Sequence, residues 1–452
     1  MASYLLTDRP IESIADYLAA GGGEGLARAR AIGPDATIAT IERSRLRGRG
    51  GAGFPTGVKW RGVASADPDQ RRFLVCNAAE GEPGTFKDRA LMRWNPYQLL
   101  EGIAIAAFAI GAEEAYIGLK ERYAAELSAL ERAAAEMQAQ DLLGDVPIRV
   151  VTGPDDYLLG EEKGLLEAIE GRPPFPRWYP PYLVGLYTDM PAGVGAGSAG
   201  WSEQANPAVV NNVETLSNVP HILAHGPEWF TEQGTPDSPG NMLFTVCGDV
   251  VHEGVAELPM GTPLAVLVHG VGEGPPEGRR VKAVFPGVSN APIPDSLLDT
   301  PMDFDSMRAI GSGLGSGGMI VYDDSACIVA AAAVLSRFLA VESCGQCPPC
   351  KLGTDALAER FFLIDSGGGD RFTLDEVTAW IERVTDANRC GLGAGQRALA
   401  AGVLRLFGEE VIDHLGRRCP SDRVLGVPKI VDWDPDTGTF AYDEGYFAWR
   451  RA

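Results

Sequence analysis

Cys344, Cys347 and Cys350 stand in the run ESCGQCPPC, a C-x2-C-x2-C spacing, and Cys390 follows in NRCGLG. Three thiolates so spaced wrap one face of a cube-shaped cluster and a distant fourth closes it, which is how [4Fe–4S] clusters are held. A zinc site of four cysteines is the rival, but zinc more often takes two separated C-x2-C pairs. The other four cysteines, Cys76, Cys247, Cys327 and Cys419, have no partner spacing and read as small buried hydrophobes. Clustered cysteines favour metals over disulfides where thiols stay reduced. The N-terminus MASYLLTDRP shows no basic stretch followed by an apolar run, so no signal peptide is expected and the cytoplasm is the expected compartment.

A chain of 452 residues has room for two to four domains. No apolar run reaches the roughly 18 residues that a membrane span needs. The longest uncharged runs, GIAIAAFAIGA (Gly102–Ala112) and ACIVAAAAVLS (Ala326–Ser336), read as core helices. With 61 acidic against 39 basic residues the net charge is −22. Nucleic-acid binders are usually basic, so that class is excluded. The acidic surface serves solubility, or orients a partner that carries a basic patch.

The stretch GRGGAGFPTG (Gly48–Gly57) opens with G-x-G-x-x-G. A dinucleotide fingerprint of that form follows a buried strand and opens a helix. Here the preceding DATIATIERSRLR is charged and closer to helical spacing, and Pro55 and Gly57 are expected to interrupt any helix after it. Rossmann topology around this loop is therefore not expected. A plain surface loop and an anion site both remain open. Four glycines in six residues let backbone N–H groups converge on an anion or a flat ring, and Lys59 adds a positive charge. A glycine-rich anion loop and a cluster site in one chain suggest a flavin that feeds electrons to an iron–sulfur centre.

Along the chain, residues 1–238 alternate helices and strands as an α/β domain. NPYQLLEGIAIAAFAIGA reads as a buried helix, EAYIGL and PIRVVTG as strands, and KERYAAELSALERAAAEMQAQ as an amphipathic helix. The runs Arg172–Tyr182 and Ala192–Gly200 read as loops. Residues 239–325 carry short strands, NMLFTVCGDV, GVAELPMGT, PLAVLVHGV, RRVKAVFPG and MIVYDDS. Residues 326–420 are helical, with a capping box expected at Thr373–Glu376, and residues 421–452 form an aromatic tail that packs on the body.

Four motifs in order carry a family resemblance: GRGGAGFPTGVKW (Gly48–Trp60), CNAAEGEPGTFKDR (Cys76–Arg89), YLLGEE with EGRPPFP (Tyr157–Pro176) and VVNNVETLSNVP (Val209–Pro220). With the cysteine set, they resemble the FMN- and NADH-binding flavoprotein subunit of NADH:quinone oxidoreductase (respiratory complex I). The diaphorase subunits of NAD-linked hydrogenases and formate dehydrogenases are its relatives. The resemblance implies an atypical Rossmann-like FMN domain, a β-grasp domain and a helical bundle with a [4Fe–4S] cluster, falling on the segments above. It implies FMN, NAD(H) and the cluster as cofactors.

Carried over by matching residues, Gly48, Gly50, Gly51 and Lys59 would line the FMN, and Asn77 and Glu80 would contact the flavin or its ribityl chain. Tyr157, Gly160, Glu161 and Glu162 would form the opposite wall, and Asn211, Asn212 and Thr215 would hold the phosphate. Phe54, Glu82 and Glu162 match positions that contact NADH, with Glu162 the candidate catalytic residue. Cys344, Cys347, Cys350 and Cys390 would ligate the cluster.

Three departures stand out. Ala79 replaces a family aspartate, Gly62 an aromatic of the adenine clamp and Tyr179 a lysine, with Lys163, Arg61 and Arg177 as candidate compensating cations and Tyr182 as a remaining aromatic. NADH is expected over NADPH, because a carboxylate near the adenine ribose repels a 2′-phosphate. The first expectation for the acceptor is a ferredoxin served by a stand-alone enzyme. The alternative is a subunit of a larger complex with an iron–sulfur partner. A non-catalytic regulatory protein that keeps the fold is the third reading.

Overall fold

The computed structural model describes residues 3–188, 206–384 and 387–447. The chain divides into two compact units, Met1–Gly81 with Asp88–Met242, and Glu82–Lys87 with Leu243–Ala452.

The first unit opens with helices α1 (Ile14–Ala19), α2 (Glu24–Ile32), α3 (Pro34–Ser44) and α4 (Thr56–Ala64). Strand β1 (Phe73–Asn77) follows, then α5 (Lys87–Trp94), α6 (Pro96–Ile110), β2 (Glu114–Lys120), α7 (Ala124–Ala139), β3 (Ile148–Gly153), α8 (Glu162–Ile169), β4 (Ala208–Asn212), α9 (Val213–His225) and α10 (Pro227–Thr231). The strands form an all-parallel sheet in the order β3-β2-β1-β4. Phe73–Asn77 runs beside Glu114–Gly118 on one side and Ala208–Asn212 on the other. All four strands therefore end at one edge, and open α/β sheets bind ligands outside the carboxyl ends of their strands.

Helix α6 is mostly apolar and buried along nearly its whole length, and its buried Glu101 accepts from the Tyr17 hydroxyl and the Gly23 and Leu26 N–H groups. Asn95 caps its start by accepting from the Gln98 N–H, Pro96 pre-sets the first turn, and Gly111 ends it in the left-handed region. Gly102 lets α6 touch α9 backbone to backbone, since a Cβ there would stand 2.0 Å from the Leu216 carbonyl oxygen.

The glycine loop lies between α3 and α4 with no strand before it, as the charged approach predicts. The expected interruption after it does not occur. Pro55 stands just ahead of the first turn of α4, where a missing N–H leaves no bond unmade, and Gly57 sits inside the helix. A Cβ at Gly57 would come 2.6 Å from the Glu42 side chain, so this glycine serves the packing of α4 on α3.

The second unit holds a mixed five-stranded sheet in the order β6-β5-β9-β7-β8. Its strands are β5 (Asn241–Gly248), β6 (Gly254–Pro259), β7 (Val281–Pro286), β8 (Ile293–Pro294) and β9 (Gly318–Asp323), with helix α11 (Phe304–Ala309) between β8 and β9. Strand β5 pairs β9 in parallel, and β7 pairs both β8 and β9 antiparallel. The run PLAVLVHGV, read as a strand, is helical, with a π-turn over Val266–Val271. Leu264, Leu267 and Val268 are buried and Val266 is exposed, which is helical spacing in a run too short to separate the two periods.

Helices α12 (Ile328–Glu342), α13 (Pro348–Asp365), α14 (Arg371–Arg383) and α15 (Leu392–Asp413) make the helical part. The capping box sits three residues earlier than expected: Asp370 accepts from the Thr373 N–H, and the Thr373 hydroxyl accepts from the Asp370 N–H. Strands β10 (Ile430–Asp434) and β11 (Thr439–Tyr442) form a hairpin, followed by α16 (Glu444–Phe447). The hairpin packs Trp433 and Phe440 against the buried Phe86, with ring centroids at 6.1 and 5.9 Å. Among the described residues no helix is long and apolar enough to cross a membrane. The glycine-rich run Ala192–Gly200 lies outside the described residues.

Candidate functional site

Two sheet strands deliver the polar residues of the first unit. Strand β4 passes directly into α9, and Asn212 caps that helix by accepting from the Glu214 N–H at 3.0 Å. A helix start with its free N–H groups and dipole favours an anion. The glycine loop is tied to the same place. The buried Arg49 N–H donates to Thr215 Oγ1 at 2.8 Å, and a Cβ on Gly50 would be only 3.2 Å from Asn212 Cβ. Gly51 and Gly53, at φ 113° and 63°, adopt backbone that other residues resist. Beneath the loop the Arg49 side chain is fully buried. Its Nη2 donates to the Pro239 carbonyl at 2.8 Å, and burial lowers its pKa while the Glu214 charge opposes that shift.

The other wall forms where β1 ends. Asn77 Nδ2 donates to the Gly160 carbonyl at 2.7 Å, and a Cβ on Gly160 would meet the Ala79 carbonyl oxygen at 2.7 Å, so the turn Tyr157–Gly160 is pressed against the strand end. Glu161 caps α8, accepting from the Lys163 and Gly164 N–H groups at 2.8 and 2.9 Å. Burial pushes its carboxyl up to about 7, against the pull of Lys163 and the Gly164 N–H. Lys59 Nζ lies 2.8 Å from Glu162 Oε2 and 2.9 Å from the Val210 carbonyl oxygen. The residue assigned to the flavin and the residue assigned to the nucleotide are thus one ion pair. Asn211 Oδ1 accepts from the Trp60 indole N–H at 2.7 Å.

The Glu80 side chain is buried, and its carboxylate accepts from the Asp88 and Arg89 N–H groups at 3.2 Å each, with Arg89 Nε 3.5 Å away. It fixes the start of α5. Phe54 is 54% exposed. Glu82 belongs to the second unit, where it accepts from the Val288 N–H at 2.7 Å.

In that unit Cys347 precedes α13 and Cys350 lies in its first turn, with Pro348 setting the helix start. The Arg389 N–H donates to Cys347 Sγ at 3.3 Å, so the chain just before Cys390 returns to Cys347. Gln346 Nε2 donates to Cys344 Sγ at 3.5 Å, and Ser343 Oγ lies 3.5 Å from Cys350 Sγ. A donor set of sulfur alone, with hydrogen bonds to the sulfurs, suits an iron–sulfur cluster.

Residues 41–221 match the Nuo51 FMN-binding domain, and residues 330–414 match the NADH-ubiquinone oxidoreductase-F iron-sulfur binding region. The chain belongs to this family. It is 41% identical over 416 residues to an F-type NADH-quinone oxidoreductase subunit of Rhizobium meliloti (strain 1021), covering 89% of this chain and 94% of that protein. It is 35% identical over 420 residues to NADP-reducing hydrogenase subunit HndC of Solidesulfovibrio fructosivorans, covering 91% and 82%. A crystal structure of NAD+-reducing [NiFe]-hydrogenase in the H2-reduced state superposes with a TM-score of 0.75 at 36% identity, covering 91% of this chain and 68% of that one. The chain is accordingly an NADH-dependent oxidoreductase of this family, with FMN and a [4Fe–4S] cluster as its resident groups.

The residues present fit FMN. Besides the loop and the start of α9, the Thr56 hydroxyl is buried at the head of α4 with no partner among the described residues. Of the family departures, Ala79 is buried, and a Cβ on Gly62 would meet nothing within 4 Å, so the position of the missing aromatic is open space. The three candidate compensating cations are engaged: Arg61 with Glu42 at 3.0 Å, Arg177 with Glu167 at 2.6 Å and Lys163 with Glu161 at 3.7 Å.

Sequence reasoning passed over two buried groups. Asp88 accepts from Asn212 Nδ2 at 2.6 Å and so ties α5 to the start of α9. Lys120, at the carboxyl end of β2, is buried against Asp155 at 3.1 Å. Each sits inside or beside a quoted motif, and a charge at a parallel strand end is the signal that marks Lys120. One reading is corrected. Cys327 and Cys419 do have a partner, because their sulfurs and a His414 ring nitrogen lie within 4.8 Å of one another.

Proposed function

We propose that the chain is the NADH-oxidising subunit of a larger electron-transfer assembly, and that an iron–sulfur protein of that assembly is its acceptor. What carries this reading is the near full-length match to proteins that are themselves named as subunits, together with an intact four-cysteine set. That match favours the assembly over a stand-alone enzyme serving a ferredoxin, and the complete cysteine set disfavours a non-catalytic relative. FMN, when bound, accepts two electrons as hydride and releases them singly to an iron–sulfur centre.

The chain's own groups would work as follows. Gly48, Gly50 and Gly51, the N–H groups heading α9, and Asn211, Asn212 and Thr215 hold the phosphate end of FMN. Asn77 with Tyr157, Gly160 and Glu161 shapes the wall, and Glu80 keeps α5 in place. Lys59 neutralises Glu162, which faces the nicotinamide nucleotide. Phe54 offers an exposed ring to adenine, and Glu82 offers a carboxylate to ribose hydroxyls while opposing a 2′-phosphate. Cys344, Cys347, Cys350 and Cys390 ligate the cluster.

The test is isolation of the tagged chain from its native host, with anaerobic titration of flavin absorbance. The expected result is a co-purifying iron–sulfur polypeptide in fixed ratio and bleaching by NADH at lower concentration than by NADPH. A chain recovered alone, active with added ferredoxin, would overturn the assembly. Bleaching by NADPH at lower concentration would overturn the nucleotide preference.

A further inference from the structure

Three ligand-bearing side chains that the redox centres do not use meet in the second unit. Cys327 caps the start of α12, and its Sγ accepts from the Ala330 N–H at 3.4 Å. His414 follows the last turn of α15, and Cys419 stands just ahead of Pro420. Cys327 and His414 are buried and Cys419 is partly buried. Their ligand atoms all lie within 4.8 Å of one another, and Cys327 Sγ is 3.3 Å from His414 Nε2.

The histidine is oriented for ligation. His414 Nδ1 lies 2.7 Å from the Glu410 carbonyl oxygen. A carbonyl only accepts, so Nδ1 carries the proton and Nε2, 3.3 Å from Cys327 Sγ, keeps its lone pair. This is the tautomer and the kind of outer hydrogen bond that metal-bound imidazoles use. A histidine serving only to fill the core has no need of two thiols at its bare nitrogen. Glu410 Oε1 accepts from the Ile328 N–H and from Lys282, both at 2.9 Å, and the carboxylate is not among the ligand atoms that lie within 4.8 Å of one another.

The dimensions suit a small tetrahedral ion. Zinc–sulfur bonds of about 2.3 Å and zinc–nitrogen bonds of about 2.0–2.1 Å put S and N of one tetrahedron roughly 3.5 Å apart. The observed 3.3 Å needs little adjustment. A disulfide would use the two sulfurs and leave the histidine unexplained.

We propose that Cys327, His414 and Cys419 form a second metal site, a zinc site of two thiolates and one imidazole with water in the fourth position, separate from the iron–sulfur ligands. Binding displaces a proton from each thiol and leaves both sulfurs as thiolates, with no change of oxidation state. The ion ties the start of α12 to the end of α15 and to the segment that runs on to the β10–β11 hairpin. It is independent of the choice of electron donor or acceptor.

The experiment uses the full chain, produced with zinc and iron in the medium and purified anaerobically. Metal analysis and X-ray absorption at the zinc edge are the readouts, which neither flavin nor iron obscures. We expect one zinc per chain beside the cluster iron, bound by two sulfurs, one imidazole nitrogen and one further light atom. Cys419→Ser and His414→Ala should lose most of the zinc, while Cys344→Ser should lose iron and keep it. Zinc that is absent from the wild-type chain, or that follows Cys344 rather than Cys419, overturns the proposal. So does a Cys327–Cys419 disulfide in the non-reduced chain under anaerobic purification. If Cys419→Ser fails to fold, the ligand set read at the zinc edge of the wild-type chain still decides.

Discussion

The hydrogen bond between Arg49 and Thr215 holds the glycine loop to the start of α9, and both residues are fully buried. Thr215→Val keeps the shape of the side chain and removes the acceptor oxygen. The Arg49 N–H is then left in the interior without a partner, at a cost of about 1–3 kcal/mol. Water cannot make good the loss in the closed state, so the cost falls on the local opening equilibrium of the loop. At about 1.4 kcal/mol per tenfold, hydrogen exchange of a peptide spanning residues 47–56 should quicken roughly 5- to 150-fold. Exchange reads a local opening and does not require the whole chain to unfold in one step. The same variant should retain less FMN after gel filtration, while Thr215→Ser, which keeps the oxygen, should stay near wild type in both. If Thr215→Val exchanges at the wild-type rate and keeps its flavin, the loop is not held through this bond.

Lys59→Met should weaken FMN retention. Glu162→Gln should leave flavin content at the wild-type level and slow its reduction by NADH, a split that flavin absorbance and stopped-flow reduction would measure. Cys344→Ser should abolish the cluster signal in electron paramagnetic resonance, with FMN retained. Burial, helped by the His225 charge, pushes the imidazole of His221 from 6.5 down to about 4. Between those values the unfolded chain takes a proton that the native one refuses, so stability is complete above pH 6.5 and falls as the pH drops toward 4. The loss is on the order of 3 kcal/mol. In His221→Gln, the decline of the denaturation midpoint from pH 7 to pH 4.5 should be shallower than in the wild-type chain.

Local patterning made the helical part and most strands legible. Apolar and alternating runs marked β2, β3 and β5, and the Ala-rich run Ala326–Ser336 marked α12, whereas β1 and β4 went unread as strands because each is a five-residue run that passes straight into a polar motif. PLAVLVHGV misled because a short apolar run has no clear period. Pro55 and Gly57 misled because the proline stands just ahead of the first turn, where it breaks nothing, and the glycine makes room for Glu42. The site is legible in part for the same reason. Motif residues announce themselves, whereas the Lys59–Glu162 pair, the Asp88–Asn212 bond and the Cys327–His414 contact join positions 103, 124 and 87 residues apart. Nothing in local spacing encodes such meetings.

The six residues Glu82–Lys87 belong to the second unit although the chain on both sides of them belongs to the first. Their buried Phe86 packs on the C-terminal hairpin, and the Phe86 N–H donates to Thr245 Oγ1 at 3.0 Å. A fragment ending at residue 242 would therefore carry this inset without the surface that receives it, leaving an aromatic ring stripped of its packing and an N–H parted from its Thr245 acceptor in the middle of a flavin-site motif. A fragment beginning at residue 243 would carry the matching hole. The two halves are consequently not interchangeable cassettes. An exchange of the nucleotide-oxidising head between assemblies has to move the chain whole, or move Glu82–Lys87 together with the hairpin that covers it.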